Sequence, residues 1–145
     1  PVKSRFFVGA GIDVSCGMKV SDLELKEMEE MAGLGTGYFL TTPVFDLDSF
    51  NQFMKRVEPM RIPVIAEVIL VRSAEMCLFL NKHVRMGLVP NFVIEKLGRA
   101  PDKEKASIEI VSDLVKGIRH LCQGVHFIPI GAEDRISKYL AAAKL

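Results

Sequence analysis

The sequence predicts an α/β fold of four parallel β-α units, arranged as half of a (β/α)8 TIM barrel. Three observations predict it. Strand-type and helix-type stretches alternate four times along 145 residues, and alternation on that scale implies parallel strands joined by right-handed helical crossovers. The strand stretches are apolar on both faces, as in a sheet covered by helices. The first and last strands are as apolar as the middle ones, which argues against a small open doubly wound sheet, because an exposed apolar edge pairs with other chains. A complete barrel takes roughly 250 residues. The chain is therefore read as one half-barrel unit over residues 1–145 that needs a complement, from another chain or from a second copy of itself.

Composition narrows the class. With 49% hydrophobic residues, 26% charged residues and a net charge of +1, the chain is neither disordered nor a binder of nucleic acid by charge. Cys16, Cys77 and Cys122 are odd in number and outside any C-x-x-C spacing, so they read as packed or surface thiols in a reducing compartment, with no metal site. No run approaches the ~20 apolar residues of a membrane span. Pro1 to Arg5 followed by Phe6-Phe-Val is too short for a signal peptide. The expected location is cytoplasmic, away from membranes. Because a strand begins almost at the first residue, the sequence also suggests a portion of a longer chain.

The elements follow in order. Strand one is Phe6 to Ile12, where Gly9 and Gly11 mark a bulge or a close approach. After a loop from Asp13 to Val20, Ser21-Asp-Leu-Glu24 has the form of a capping box and starts a helix through Met31. That helix turns Leu23, Met28 and Met31 to a core and Glu24, Lys26, Glu27, Glu29 and Glu30 outward, and it stops in the glycines of Gly33-Leu-Gly35-Thr-Gly37. Strand two is Tyr38 to Thr41. Asp46 caps a helix from Leu47 to Val57, in which Leu47, Phe50, Phe53, Met54 and Val57 recur at three and four.

Strand three, Val64 to Leu70, is broken only by Glu67. Ser73 caps a helix to about Val84 with Ala74, Cys77, Leu78 and Leu80 or Asn81 along it. Val89-Pro90-Asn91 restarts a short helix, Phe92 to Leu97, and Pro101 ends the connection. The longest helix runs from Lys103 to Cys122 on Ile108, Val111, Val115 and Ile118. Gln123-Gly124 terminates it, Val125 to Ile130 is strand four, and Glu133 to Ala143 is the last helix.

In α/β folds the carboxyl ends of the strands present side chains to a ligand. Thr41 and Thr42 are the first candidates there, against the alternative that their hydroxyls bond the backbone. Glu67 is an acid inside an apolar strand, and an unpaired buried carboxylate is expensive. It handles a ligand or a proton, or else pairs with a cation such as Arg72. Gly131, before the last helix, is a place where barrels bind anions, although Glu133 and Asp134 disfavour a phosphate. His83 and His120 read as helix-surface residues and His126 as a packed core histidine. No Ser-His-Asp order, P-loop or G-x-G-x-x-G is present.

Five stretches together resemble a known family. They are Tyr38-Phe-Leu-Thr-Thr-Pro-Val-Phe-Asp46, Ile62-Pro-Val-Ile-Ala-Glu-Val-Ile-Leu70, Val89-Pro90 before Val93-Ile-Glu95, Ala106-Ser-Ile-Glu-Ile110 and Gly124-Val-His-Phe127. In this order and spacing they resemble the C-terminal half of the methylenetetrahydrofolate reductase family. The resemblance implies that the chain corresponds to strands five to eight of a barrel that holds FAD. There the flavin takes hydride from a reduced nicotinamide and passes it to 5,10-methylenetetrahydrofolate, giving the 5-methyl form used in methionine biosynthesis.

Carried over residue by residue, the resemblance places Thr42 where the family has a pterin-binding glutamine. Ile128 and Ala132 stand where many members have a tyrosine and an arginine that meet the folate. Glu30 and Met31 replace an Arg-Lys pair that faces the flavin's phosphates or ribityl chain. Asp13 falls near the flavin, and Glu24 where an acid reaches ribose or ribityl hydroxyls. The family's catalytic acid and flavin-tuning aspartate belong to strands this chain does not have, so the resemblance implies no reductase activity without the N-terminal half. The implied partners are a folate-type small molecule and a complementary half-barrel. Two alternatives stand beside this: a non-catalytic folate- or pterin-binding or scaffold module of the same fold that has lost its flavin contacts, and a self-complementing homodimer.

Overall fold

The computed structural model describes residues 6–14, 22–85 and 88–145. Four parallel strands, β1 (Gly9–Ile12), β2 (Tyr38–Pro43), β3 (Val64–Ile69) and β4 (Gly124–Ile128), form one sheet in the order β1-β2-β3-β4. Between and after them lie the helices α1 (Asp22–Gly33), α2 (Leu47–Val57), α3 (Ala74–His83), α4 (Asn91–Arg99), α5 (Lys103–Ile118) and α6 (Ile136–Ala143). The strand order never reverses. Right-handed crossovers that all step the same way place their helices on one face of the sheet, as in a barrel wall, whereas a doubly wound sheet requires a reversal.

Burial follows that layout. Val64, Ala66, Val68 and Leu70 of the β3 stretch join Phe39, Phe50, Phe53, Val57, Val111, Val115 and Ile118 in one core between sheet and helices. Residues of opposite parity, Tyr38, Leu40, Ile65 and Glu67, are half-buried, and Gly9 and Gly11 are exposed. This is the open face of the sheet. A second cluster, with Cys77, Leu80, Val93 and Leu97 of α3 and α4, gathers around Ile69 and Val71 just past the carboxyl end of β3.

Local chemistry sets the element ends. The Asp46 carboxylate accepts from the Asp48 and Ser49 amides, and the Ser73 hydroxyl from the Met76 amide, so both expected caps form. The Asn81 side chain bonds both the N–H and the C=O of Val89, which pins the segment leading into α4. The proposed Ser21 cap and most of the loop before it lie outside the described residues.

Four expectations are corrected. Strand one begins at Gly9, because Phe6, Phe7 and Val8 are exposed and the Phe7 ring stacks on Tyr38 with centroids 5.4 Å apart. A Cβ at Gly9 would fall inside that Tyr38 ring, so glycine is what allows the close approach. Leu23 is exposed, while Met28 of the same expected face is buried. Leu78 likewise faces outward on α3. The long helix ends at Ile118, since Gln123 turns back to the sheet, donating its amide to the Val64 carbonyl and accepting from the Val64 amide through its side chain.

Candidate functional site

The carboxyl end of the sheet is organised by an irregularity in β2. Leu40 is in register with Ile65 and Pro43 with Glu67, so β2 carries one extra residue, and Thr41 and Thr42 together oppose Ala66. Proline has no N–H to give the ladder. At this bulge the Thr41 hydroxyl accepts the Glu67 amide at 3.1 Å and donates to the Thr42 carbonyl at 2.7 Å. Thr41 is only 2% exposed. Its hydroxyl therefore serves the backbone, and Thr41 does not join the exposed polar groups.

Thr42 points the other way along the ladder, toward β1. Its hydroxyl accepts from the Val14 amide at 3.0 Å and donates to the Asp13 carboxylate at 3.2 Å. The second oxygen of Asp13 forms an ion pair with Arg85, which follows α3. Sequence reasoning named Asp13 and Thr42 separately; the fold joins them, and adds Arg85 from 72 positions away.

Glu67 and His126 are register partners on neighbouring strands. The imidazole Nδ1 lies 3.2 Å from Glu67 Oε1, with the Glu67 side chain 17% exposed and that of His126 53%. His126 is thus not a packed core histidine: its parity places it on the open face, where no helix covers it. Arg72 is not the partner of Glu67 either; its guanidinium lies against Gly131. The Gly131 amide donates to Glu133 at 3.0 Å, and hydrogen bonds from the amides of Glu133 itself and Gly131 hold that carboxyl below its usual range. A carboxylate of the chain already takes the amide that an anion would use.

Ile128 packs against the cluster around α3 and α4, and Ala132 is fully buried in the main core. Asp13 and Glu24 line one cleft with Glu27, Met28 and Met31. Larger clefts lie elsewhere: one by Met54, Arg61 and Gln123 beneath the amino end of β3, one by Phe45, Phe92 and Ile110 between α2, α4 and α5, and one by Asp102, Ile108 and Lys138. Among the described residues no group of three or more His, Cys, Asp or Glu is placed to hold a metal, and no helix is long and apolar enough to cross a membrane.

A family model, methylenetetrahydrofolate reductase, matches residues 13–144. The chain belongs to the methylenetetrahydrofolate reductase family. A search of curated proteins returned no match. Four parallel strands alternating with helices in one sheet agree with part of the TIM barrel of this reductase family.

The family is generally flavin-dependent, so the fit of FAD to these residues is a test the geometry answers. The cleft at Asp13 and Glu24 offers acceptors for ribityl or ribose hydroxyls. Among the described residues it is lined by three carboxylates, Asp13, Glu24 and Glu27, and by no lysine or arginine. A pyrophosphate there would meet mainly like charge, since the Arg85 guanidinium at this edge is already engaged by Asp13. Glu30 is exposed on the same helix, and Met31 is a thioether in the cleft itself. The described lining of this cleft does not fit the phosphates of FAD.

Proposed function

We propose that this chain is the C-terminal half-barrel of a methylenetetrahydrofolate reductase-like protein. It acts in the reduction of 5,10-methylenetetrahydrofolate to 5-methyltetrahydrofolate when a complementary four-unit half closes the barrel. The observation that carries the reading is the unreversed order β1-β2-β3-β4 with one open face, in a chain that belongs to this family. In a closed barrel that face becomes the interior and its carboxyl end the mouth. Thr42, Glu67 and His126 are the polar groups this half brings to it.

The test is made on the protein isolated from its native cells, with and without dissociation of bound polypeptides. Formation of the 5-methyl product from reduced nicotinamide and methylenetetrahydrofolate should appear only in the complexed fraction. Turnover by the chain alone would overturn the reading.

The acidic cleft favours a second reading: a folate- or pterin-binding module of the same fold that holds no flavin. A complex that shows no flavin absorbance in the visible but retains 5-methyltetrahydrofolate binding decides for this second reading.

A further inference from the structure

We propose that the cleft beneath the amino end of β3 is an anion site that takes a phosphate monoester with an apolar or aromatic body. Its volume is about 400 Å³, within the range of small-molecule pockets. Three segments bring donors to it: Lys55 from α2, Arg61 from the turn that follows α2, and His120 and Gln123 from the stretch between α5 and β4. Among the described residues neither Lys55 nor Arg61 is held by a carboxylate, and Glu58 is the one acid in the lining. A further cation stands beside His120, whose Nε2 accepts from Arg119 Nε at 3.3 Å. The neutral imidazole then carries its hydrogen on Nδ1, as a donor.

Two of these groups are set by the backbone. Gln123 is clamped to the start of β3, its amide donating to the Val64 carbonyl at 3.0 Å and its Oε1 accepting from the Val64 amide at 2.8 Å. The side-chain NH2 is the unspent end of a fixed group. Arg61 closes the short 3-10 turn Glu58–Met60 in the left-handed region, at φ 55° and ψ 29°, with its amide bonded to the Glu58 carbonyl at 3.1 Å. Glycine takes that conformation without a Cβ penalty. The turn gains nothing from an arginine, whereas the cleft gains a guanidinium.

The lining also selects among anions. A carboxylate is satisfied by one bidentate arginine. A phosphate monoester presents three strong acceptor oxygens and close to two charges, so it can use an arginine, a lysine and the neutral donors together. Met54, Ile62 and Leu121 supply apolar wall, which rewards an ester with an apolar body over the free ion. The inference stands on this cleft and does not depend on the folate reading.

Calorimetric titration of the full chain with phenyl phosphate, inorganic phosphate and phenol tests it. Phenyl phosphate should bind at least about tenfold tighter than either of the others. Arg61→Gly should weaken phenyl phosphate by at least about tenfold without lowering the urea midpoint, because glycine suits the left-handed position. Lys55→Gln should also weaken it. Lys116→Gln, which removes a lysine paired with Asp113 on α5, should leave it unchanged. In nitrogen-15 spectra of glutamine-labelled protein, phenyl phosphate should move the side-chain amide of Gln123 more than that of Gln52, the chain's other glutamine. Equal affinity for phenyl phosphate and phenol, full binding by Arg61→Gly, an equal loss in Lys116→Gln, or an unmoved Gln123 amide would overturn the proposal.

Discussion

The hydroxyl of Thr41 accepts the backbone amide of Glu67 at 3.1 Å, a side chain filling a place in the ladder that the bulge before Pro43 leaves open. A buried amide without a partner costs more than a hydrogen bond is worth net. Replacing Thr41 with valine keeps the shape and removes the acceptor, so Thr41→Val should destabilise the chain by about 1–3 kcal/mol. Thr41→Ser should recover most of that. Urea unfolding measures both; equal midpoints for Thr41→Val and wild type would show that the amide has another partner.

The Asp46 cap carries a pH dependence of known sign. Hydrogen bonding from the Ser49 hydroxyl, opposed by burial and reinforced by the Ser49 and Asp48 amides, holds its carboxyl below the usual 3.8. A carboxyl lowered in the folded state stabilises above the unfolded value and loses that contribution as pH falls through the folded one. Asp46→Asn keeps an N-cap acceptor without the titration. It should leave neutral-pH stability nearly unchanged and flatten the loss of stability below about pH 4. Asp46→Ala should lose about 1 kcal/mol at neutral pH. Urea midpoints across the acid range read both effects.

Burial pushes the Cys77 thiol up to about 11 and also raises that of Cys122. The thiolate is the reactive form, and Cys77 is buried while Cys122 is half-exposed. Alkylation followed by mass spectrometry should therefore leave Cys77 unmodified in the native chain at mildly alkaline pH and label it in urea. Rapid native labelling of Cys77 would place α3 away from the sheet.

Strand edges left unpaired among the described residues and a half-apolar open face predict that the isolated chain associates with itself in the absence of its complement. Sedimentation should show association that weakens in Leu40→Lys, since Leu40 is half-buried on that face with no helix over it. A folded wild-type monomer would eliminate the self-complementing homodimer.

Where a signal was local, the sequence revealed it. The bounds of α2, Leu47–Val57, were legible from apolar spacing and from Asp46, because a cap and a 3.6-residue period act within a few positions. The first strand starts three residues later than its apolar run, since nothing in Phe6-Phe-Val indicates that Phe7 will stack on Tyr38. Glu67 stands out as an acid in an apolar strand, but its partner is 59 positions away, on a strand whose pattern reads as core. Thr41 and Thr42 look alike in sequence, yet one is buried against the backbone and the other reaches Asp13.

The sequence by itself determined the alternation of strands and helices, their parallel sense, the caps and the likeness to a folate reductase, all of which depend on neighbours within a turn, a crossover or a motif. Tertiary structure alone decided which strand face stays uncovered, the bulge that separates the two threonines, and the pairings of Glu67 with His126 and of Asp13 with Arg85. Those depend on strand register, and a shift of one residue would send every side chain of a strand to the opposite face.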